Sequence, residues 1–201
     1  MISVVIFDLG GVLIDWNPRY LYRKLFDREE EISDFLKTIC TPDWNDEQDA
    51  GRSIQEGTAA LVAIHPGRED HIRAYYDRWE EMLGGEISGT VALLRTLKEG
   101  GKCRLLALTN WSAETFPVAL ERFECLRWFE GIVVSGTEGI RKPARELYQL
   151  LLDRYGLKAG EALFIDDSER NVRAAGEMGM QTVHFTTPGA LRTVLEEKRL
   201  I

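Results

Sequence analysis

Five short apolar runs, at residues 3–7, 103–108, 131–134, 162–165 and 182–185, punctuate the chain, and between them apolar residues recur at helical spacing. Runs of this length with no polar alternation have the pattern of strands buried on both faces. Their alternation with helical stretches predicts βα repeats around a parallel sheet, an α/β, Rossmann-like core. The helices carry readable ends. Ser88 is expected to cap one that stops at Gly100-Gly101, Pro143 to open one that closes near Gly156, and Ser168 to begin one that stops near Gly179.

Between the first two runs the chain is far longer than one crossover helix requires. Asn17-Pro18 reads as an N-cap and first helical position, and Asp27 as the cap of an acidic helical segment. Residues 58–64 and 67–83 carry further helical spacing. The predicted organisation is a Rossmann-like core of residues 1–14 and 86–201, with a helical cap domain at 15–85. Gly10-Gly11 and Gly84-Gly85 would serve as flexible exits that let the insertion close as a lid.

Composition narrows the class. The 201 residues are 44% hydrophobic and 29% charged, as expected of a soluble globular fold. A formal charge of −8 opposes nonspecific binding to nucleic acid or to an anionic membrane surface. No apolar run reaches membrane-spanning length, and the first run lacks the basic flank of a signal peptide. The three cysteines, Cys40, Cys103 and Cys125, are widely spaced, which suggests neither a disulfide framework nor a zinc site. A cytoplasmic protein acting on a small soluble ligand is the expectation.

The candidate chemistry sits at the ends of the apolar runs. Val4-Val5-Ile6-Phe7 delivers Asp8 into Leu9-Gly10-Gly11, and a strand that ends in a carboxylate before a glycine turn offers charged oxygens at a sheet edge. Leu108-Thr109-Asn110 follows the second run, Arg141-Lys142-Pro143 precedes a helix, and Phe164-Ile165 runs into Asp166-Asp167. Two adjacent carboxylates at a strand exit repel each other unless a cation or strong donors compensate. Thr109 supplies a hydroxyl and Lys142 a compact positive charge, the donors that a phosphoryl group needs.

In this order, the four motifs resemble those of the haloacid dehalogenase superfamily. The resemblance implies a phosphatase in which Asp8 is the nucleophile and forms an aspartyl phosphate. Magnesium would be held by Asp8, the backbone carbonyl of Gly10, and Asp166 and Asp167, with Asp167 the primary acid. Thr109, Asn110 and Lys142 would bind the phosphoryl group of a small phosphorylated metabolite such as a sugar phosphate, with Thr109 and Lys142 also catalytic. Gly10 departs from the usual pattern, which has a second aspartate there as general acid and base. A subgroup that includes bacterial α-D-glucose-1-phosphate phosphatases keeps glycine at this point.

Two alternatives remain at this level: a 2-haloacid dehalogenase, whose first aspartate attacks carbon, and a catalytically weak phosphate-ligand binder. Arg141 is left out of the site as a partner for acidic neighbours. Trp16 and Trp111 are expected mainly to pack between cap and core. His65, His71 and His184 lack metal-ligand spacing, and Asp15, Asp43, Glu47 and Asp49 read as helix-end or loop acids of the cap segment.

Overall fold

The computed structural model describes residues 1–201. Val4, Val5, Ile6 and Phe7, all excluded from solvent, form β1 (Val4–Phe7). The chain turns through Gly10-Gly11 into β2 (Ile14–Trp16). It then runs through α1 (Arg19–Tyr22), α2 (Glu29–Thr38), α3 (Pro42–Asp49), α4 (Ile54–Ile64) and α5 (Glu69–Asp77), and returns along β3 (Leu83–Glu86). Strands and helices then alternate through α6 (Ser88–Gly100), β4 (Arg104–Thr109), α7 (Phe116–Arg122), β5 (Gly131–Val134), α8 (Ser135–Glu138) and α9 (Arg145–Tyr155). The chain closes with β6 (Ala162–Asp166), α10 (Glu169–Glu177), β7 (Gln181–His184) and α11 (Pro188–Glu197). No helix is long and apolar enough to cross a membrane.

The main sheet has the order β5-β4-β1-β6-β7, with every pairing parallel. Side chains alternate between its faces. Val5, Phe7, Leu105, Ala107, Leu163 and Ile165 join one apolar cluster with α6, α7 and α11. Val4, Ile6, Leu106, Leu108 and Phe164 join another with Leu147, Tyr148 and Leu151 of α9. Burial on both faces explains the uninterrupted apolar runs, and each fully buried large side chain contributes roughly 1.5–3 kcal/mol. The chain leaves β1 towards β4 and β5, then crosses to β6 and β7 on the other side. The strand order therefore reverses around β1, and the carboxyl ends of β4, β1 and β6 open onto the crevice where such sheets bind ligands.

Several helix starts differ from the sequence expectation. Pro143 lies in the turn before α9, which begins at Arg145. Ser88 is the first residue of α6 and Ile87 its cap. Ser168 stands at the cap position of α10, but its hydroxyl makes no capping bond; its backbone N–H instead donates to Asp166 Oδ1 at 2.8 Å. Asp27 does not cap α2, whose cap residue is Arg28. Asn17 does cap locally, its Oδ1 accepting from Arg19 N at 2.9 Å.

The glycine exits also differ. Gly84 and Gly85 belong to β3, which pairs antiparallel with β2 in a ribbon broken by one irregularity at Asp15/Trp16. A Cβ at Gly84 would lie 2.2 Å from Asp15 Oδ2, so glycine is required there for close packing. The apolar residues of α1 to α5, among them Tyr22, Phe35, Leu61 and Tyr75, are continuous with the larger sheet cluster.

Candidate active site

Asp8 extends the β1 ladder by one residue, its N–H donating to Ile165 O at 2.8 Å. That hydrogen bond carries its carboxyl to the crevice at the level of Asp166, the last residue of β6. Lys142 lies between them, entirely buried. Its Nζ donates to Asp8 Oδ2 at 2.9 Å, Asp166 Oδ2 at 2.7 Å and Leu108 O at 2.9 Å, so all three ammonium protons have acceptors. A buried ammonium is tolerated because this set of partners is complete.

Asn110 explains how a lysine outside the sheet reaches that position. Its Oδ1 accepts from Lys142 N at 2.8 Å and its Nδ2 donates to Lys142 O at 3.0 Å, a two-point clamp on the lysine backbone. Asn110 therefore fixes Lys142, a role that the expectation of direct substrate binding did not include. Asp166 is held just as fully. Besides Lys142, it accepts from Ser168 N and from Asn171 Nδ2 at 3.1 Å, while Tyr148 Oη donates to Asn171 O at 3.1 Å. One asparagine within a polar helix gives no signal in sequence, and Asn171 gains its role only in the folded chain.

The three carboxylates of Asp8, Asp166 and Asp167 each bring an oxygen within 4.8 Å of the others. One lysine faces three acids. Burial pushes the Asp8 carboxyl up to about 8, against the pull of Lys142 and with repulsion from Asp166 added. The Asp167 carboxyl is also raised, by burial and then by Asp166. Burial works against the Lys142 charge too, yet Asp8 and Asp166 together hold the ammonium above its ordinary range. This excess of hard oxygen donors over positive charge fits a divalent cation of the magnesium kind. Asp166 spends its lone pairs on protein donors, whereas Asp167, exposed at the rim, has its carboxyl free to ligate.

Gly11 makes room for Asp167. Its φ is +72°, and a Cβ there would lie 2.3 Å from Asp167 Oδ2. Gly11→Ala is therefore expected to displace that carboxylate and to cost about 1 kcal/mol of backbone strain. In a cation titration of activity, the half-saturating concentration should rise by about tenfold or more; a wild-type titration curve would refute this placement of Asp167.

Thr109 ends β4, almost wholly buried, and its Oγ1 has no hydrogen-bond partner. An orphaned hydroxyl at the carboxyl end of β4, the strand paired with β1, is a donor suited to a ligand oxygen. A cavity of about 80 Å³ opens at the sheet edge, lined by Gly10, Asn110, Trp111 and Ser112 and by Trp16, Asn45, Asp49, Tyr76 and Trp79. Trp79 and Trp111 meet edge-to-face at 5.6 Å. Arg141 pairs with Asp46 of α3 at 2.9 Å, and Ser135 Oγ donates to Asp49 O at 2.5 Å, so α3 is tied down over the crevice. Among the histidines, His184 Nε2 lies 2.9 Å from Asp167 O, and His71 stacks on Phe26 at 4.6 Å.

Residues 2–179 match the haloacid dehalogenase-like hydrolase family, and the chain belongs to it. It is a hydrolase, with the fold and the strand-end carboxylates described above. Among its relatives is the sesquiterpene phosphatase astK of Aspergillus oryzae (strain ATCC 42149 / RIB 40), 31% identical over 99% of this chain and 96% of that one. The GMP/IMP nucleotidase YrfG of Escherichia coli (strain K12) is 32% identical over 52% of this chain and 53% of its own length. A HAD family enzyme of Bacteroides thetaiotaomicron, solved with magnesium and inorganic phosphate, shares the fold. Its TM-score is 0.69 and its identity 22%, over 93% of this chain and 96% of that one.

Proposed function

We propose that this protein is a magnesium-dependent phosphatase that hydrolyses a small phosphorylated metabolite through an aspartyl phosphate on Asp8. The observation that carries the reading is the Lys142 ammonium seated on the Asp8 carboxylate, with the partnerless Thr109 hydroxyl at the end of the neighbouring strand β4. A nucleophile flanked by one cation and one spare donor suits attack on phosphorus, where negative charge gathers on the equatorial oxygens.

Asp8, Asp167 and the Gly10 carbonyl would hold magnesium, with Asp166 orienting Lys142 and closing the set. Bound there, the ion would neutralise phosphoryl charge and keep Asp8 ionised despite its raised pKa. In the first step an Asp8 oxygen bonds to phosphorus as the bond from phosphorus to the ester oxygen breaks and that oxygen leaves with the electron pair, while the Lys142 charge offsets the negative charge gathering there and Thr109 donates to a phosphoryl oxygen. In the second, water attacks the same phosphorus and the electron pair of the broken bond returns to Asp8. Residues 15–85 act as a cap that excludes bulk water from both steps.

The cavity has both polar and aromatic walls. A sugar phosphate fits the polar edge of Asn45, Asp49 and Ser112. The aromatic walls, Trp16, Tyr76, Trp79 and Trp111, favour a second reading in which the leaving group is an apolar terpene, since the name of astK denotes a sesquiterpene phosphatase. Phosphate release from sugar, nucleoside and terpene phosphates, with magnesium and with chelator, beside halide release from 2-haloacids, tests the reading. Chelator-sensitive phosphate release supports it. Chelator-insensitive halide release would replace it with the dehalogenase, and tight phosphate-ester binding without turnover would leave a ligand-binding protein.

A further inference from the structure

Hydrolysis through Asp8 creates a proton problem that the strand-end residues do not solve. The oxygen leaving phosphorus needs a proton, and the next water must lose one. Gly10 has no side chain to serve, and nothing lies within 4 Å of where its Cβ would be. Asp8 is the attacking group, Asp166 is fully bonded to Lys142, Ser168 and Asn171, and Asp167 stands beside Gly11. A further proton carrier must come from elsewhere on the wall of the cavity.

One carboxyl on that wall lies outside the sheet. Asp49 is the last residue of α3, and it lines the same cavity as Gly10 and Asn110. Its position is fixed from both sides. Its carbonyl accepts from Ser135 Oγ at the carboxyl end of β5, and its Oδ2 accepts from Asn45 Nδ2 at 3.0 Å. Asn45 in turn accepts from Tyr75 and Tyr76 at 3.2 and 3.0 Å, so two tyrosines of α5 brace the carboxyl's one side-chain donor. A solvated helix-end acid would have none of this support.

We infer that Asp49 is the general acid and base of the reaction, carried into the site by α3 in place of an acid at Gly10. The inference rests on the phosphatase reading above. In the first step an Asp8 oxygen bonds to phosphorus and the bond from phosphorus to the ester oxygen breaks. The electron pair stays on that oxygen, which takes the Asp49 proton and departs as the alcohol. In the second step the Asp49 carboxylate takes a proton from water as its oxygen bonds to phosphorus. The phosphorus to Asp8 bond breaks, the carboxylate of Asp8 is restored, and phosphate leaves with Asp49 protonated again.

The charges around Asp49 suit a group that must both give and take a proton near neutrality. Burial pushes it up to about 7, and Asp46 on the same helix adds to the effect. Arg141, from the loop before α9, pulls the other way but is itself paired to Asp46. The Ser112 backbone and Asn45 also favour the ionised form. Arg170 of α10 lies 3.7 Å from Asp46, and Tyr75 and Tyr76 are the remaining titratable neighbours.

The test is a series of phosphate monoesters whose leaving groups run from acidic phenols to primary alcohols. The kcat/KM of each is measured for wild type and for Asp49→Asn with saturating magnesium, and each protein's melting curve is recorded. Asp49→Asn should lose about 10²- to 10⁴-fold on the alkyl esters and no more than a few-fold on the most acidic phenol, which departs without a proton. The descending limb of the wild-type alkyl pH profile, near pH 7, should vanish in the variant. An equal loss on every ester, or no loss, in a variant that melts like wild type would overturn the role of Asp49 while leaving the phosphatase standing. Wild-type protein that turns over no ester would overturn both. Where Asp49→Asn fails to fold, Asp49→Ser carries the same comparison.

Discussion

Asp8→Asn abolishes phosphate release, with a fall of about 10⁴- to 10⁶-fold in kcat, because the amide is neither a nucleophile nor an anionic metal ligand. The same change should stabilise the metal-free protein at high pH. In the folded chain the Asp8 carboxyl is raised from 3.8 to about 8, with burial the largest cause. Between these values the folded state binds more protons than the unfolded one, so this group's effect on stability worsens as pH rises from 4 to 8. Asparagine removes that penalty. In chelator at pH 8 the variant should melt several degrees above wild type, since about 1 kcal/mol moves the Tm of a domain this size by roughly 2–4 °C. The gap should close towards pH 4. Thermal melts across that range, with activity assays alongside, check both halves. A variant that melts lower at pH 8 would mean that Asp8 is held as a well-compensated anion.

Lys142→Ala should damage fold and reaction together. The ammonium is wholly buried and satisfies Asp8, Asp166 and Leu108 O at once, so its removal leaves two carboxylates facing each other without a counter-charge. Breaking a buried ion pair from one side costs about 3–5 kcal/mol. In chelator the deficit should shrink on acidification, because Asp8 without its lysine takes up a proton more readily. Activity should fall by about 10²- to 10³-fold at saturating magnesium, the usual cost of losing one preorganised charge on the transition state. Lys142→Arg should not rescue it, because a planar fork cannot replace a compact ammonium among three acceptors in a closed hole. Denaturant unfolding at pH 5 and pH 8, with steady-state kinetics, measures both. An alanine variant as stable as wild type and nearly as active would remove Lys142 from the account.

Sequence alone exposed the parts of this architecture that depend on chain-local pattern. Burial on both faces leaves strands uninterrupted by polar residues, so β1, β4, β5 and β6 were readable. With them came the residues at their ends: Asp8, Thr109, Asp166 and Asp167. Among the helices outside the sequence expectation, α3, α7 and α11 begin at Thr41-Pro42, Thr115-Phe116-Pro117 and Thr187-Pro188. Thr41 and Thr187 each cap their helix through the hydroxyl, a signal that was present in the chain. The β2–β3 ribbon was hidden because Gly84-Gly85 has the composition of a hinge, and its strand character comes from Asp15 and Leu13 across the gap.

The remaining site features arise from contacts between distant segments. Asn110 has the look of a turn residue until Lys142, 32 positions later, is seen in its clamp. Asn171 gains its role only because Asp166 lies behind it. Asp49 has a local sequence like those of Asp43 and Glu47, which remain exposed, and is set apart by the tyrosines of α5 and by Ser135.

The most direct test of the central claim is the covalent state of Asp8 during turnover. The protein would be mixed with magnesium and a rapidly cleaved aryl phosphate, quenched in acid within the first turnover, and digested for mass spectrometry. The account predicts a phosphate on the peptide that carries Asp8, absent with chelator and absent in Asp8→Asn. Full release of inorganic phosphate in that first turnover, with the Asp8 peptide unmodified at every quench time, would contradict it.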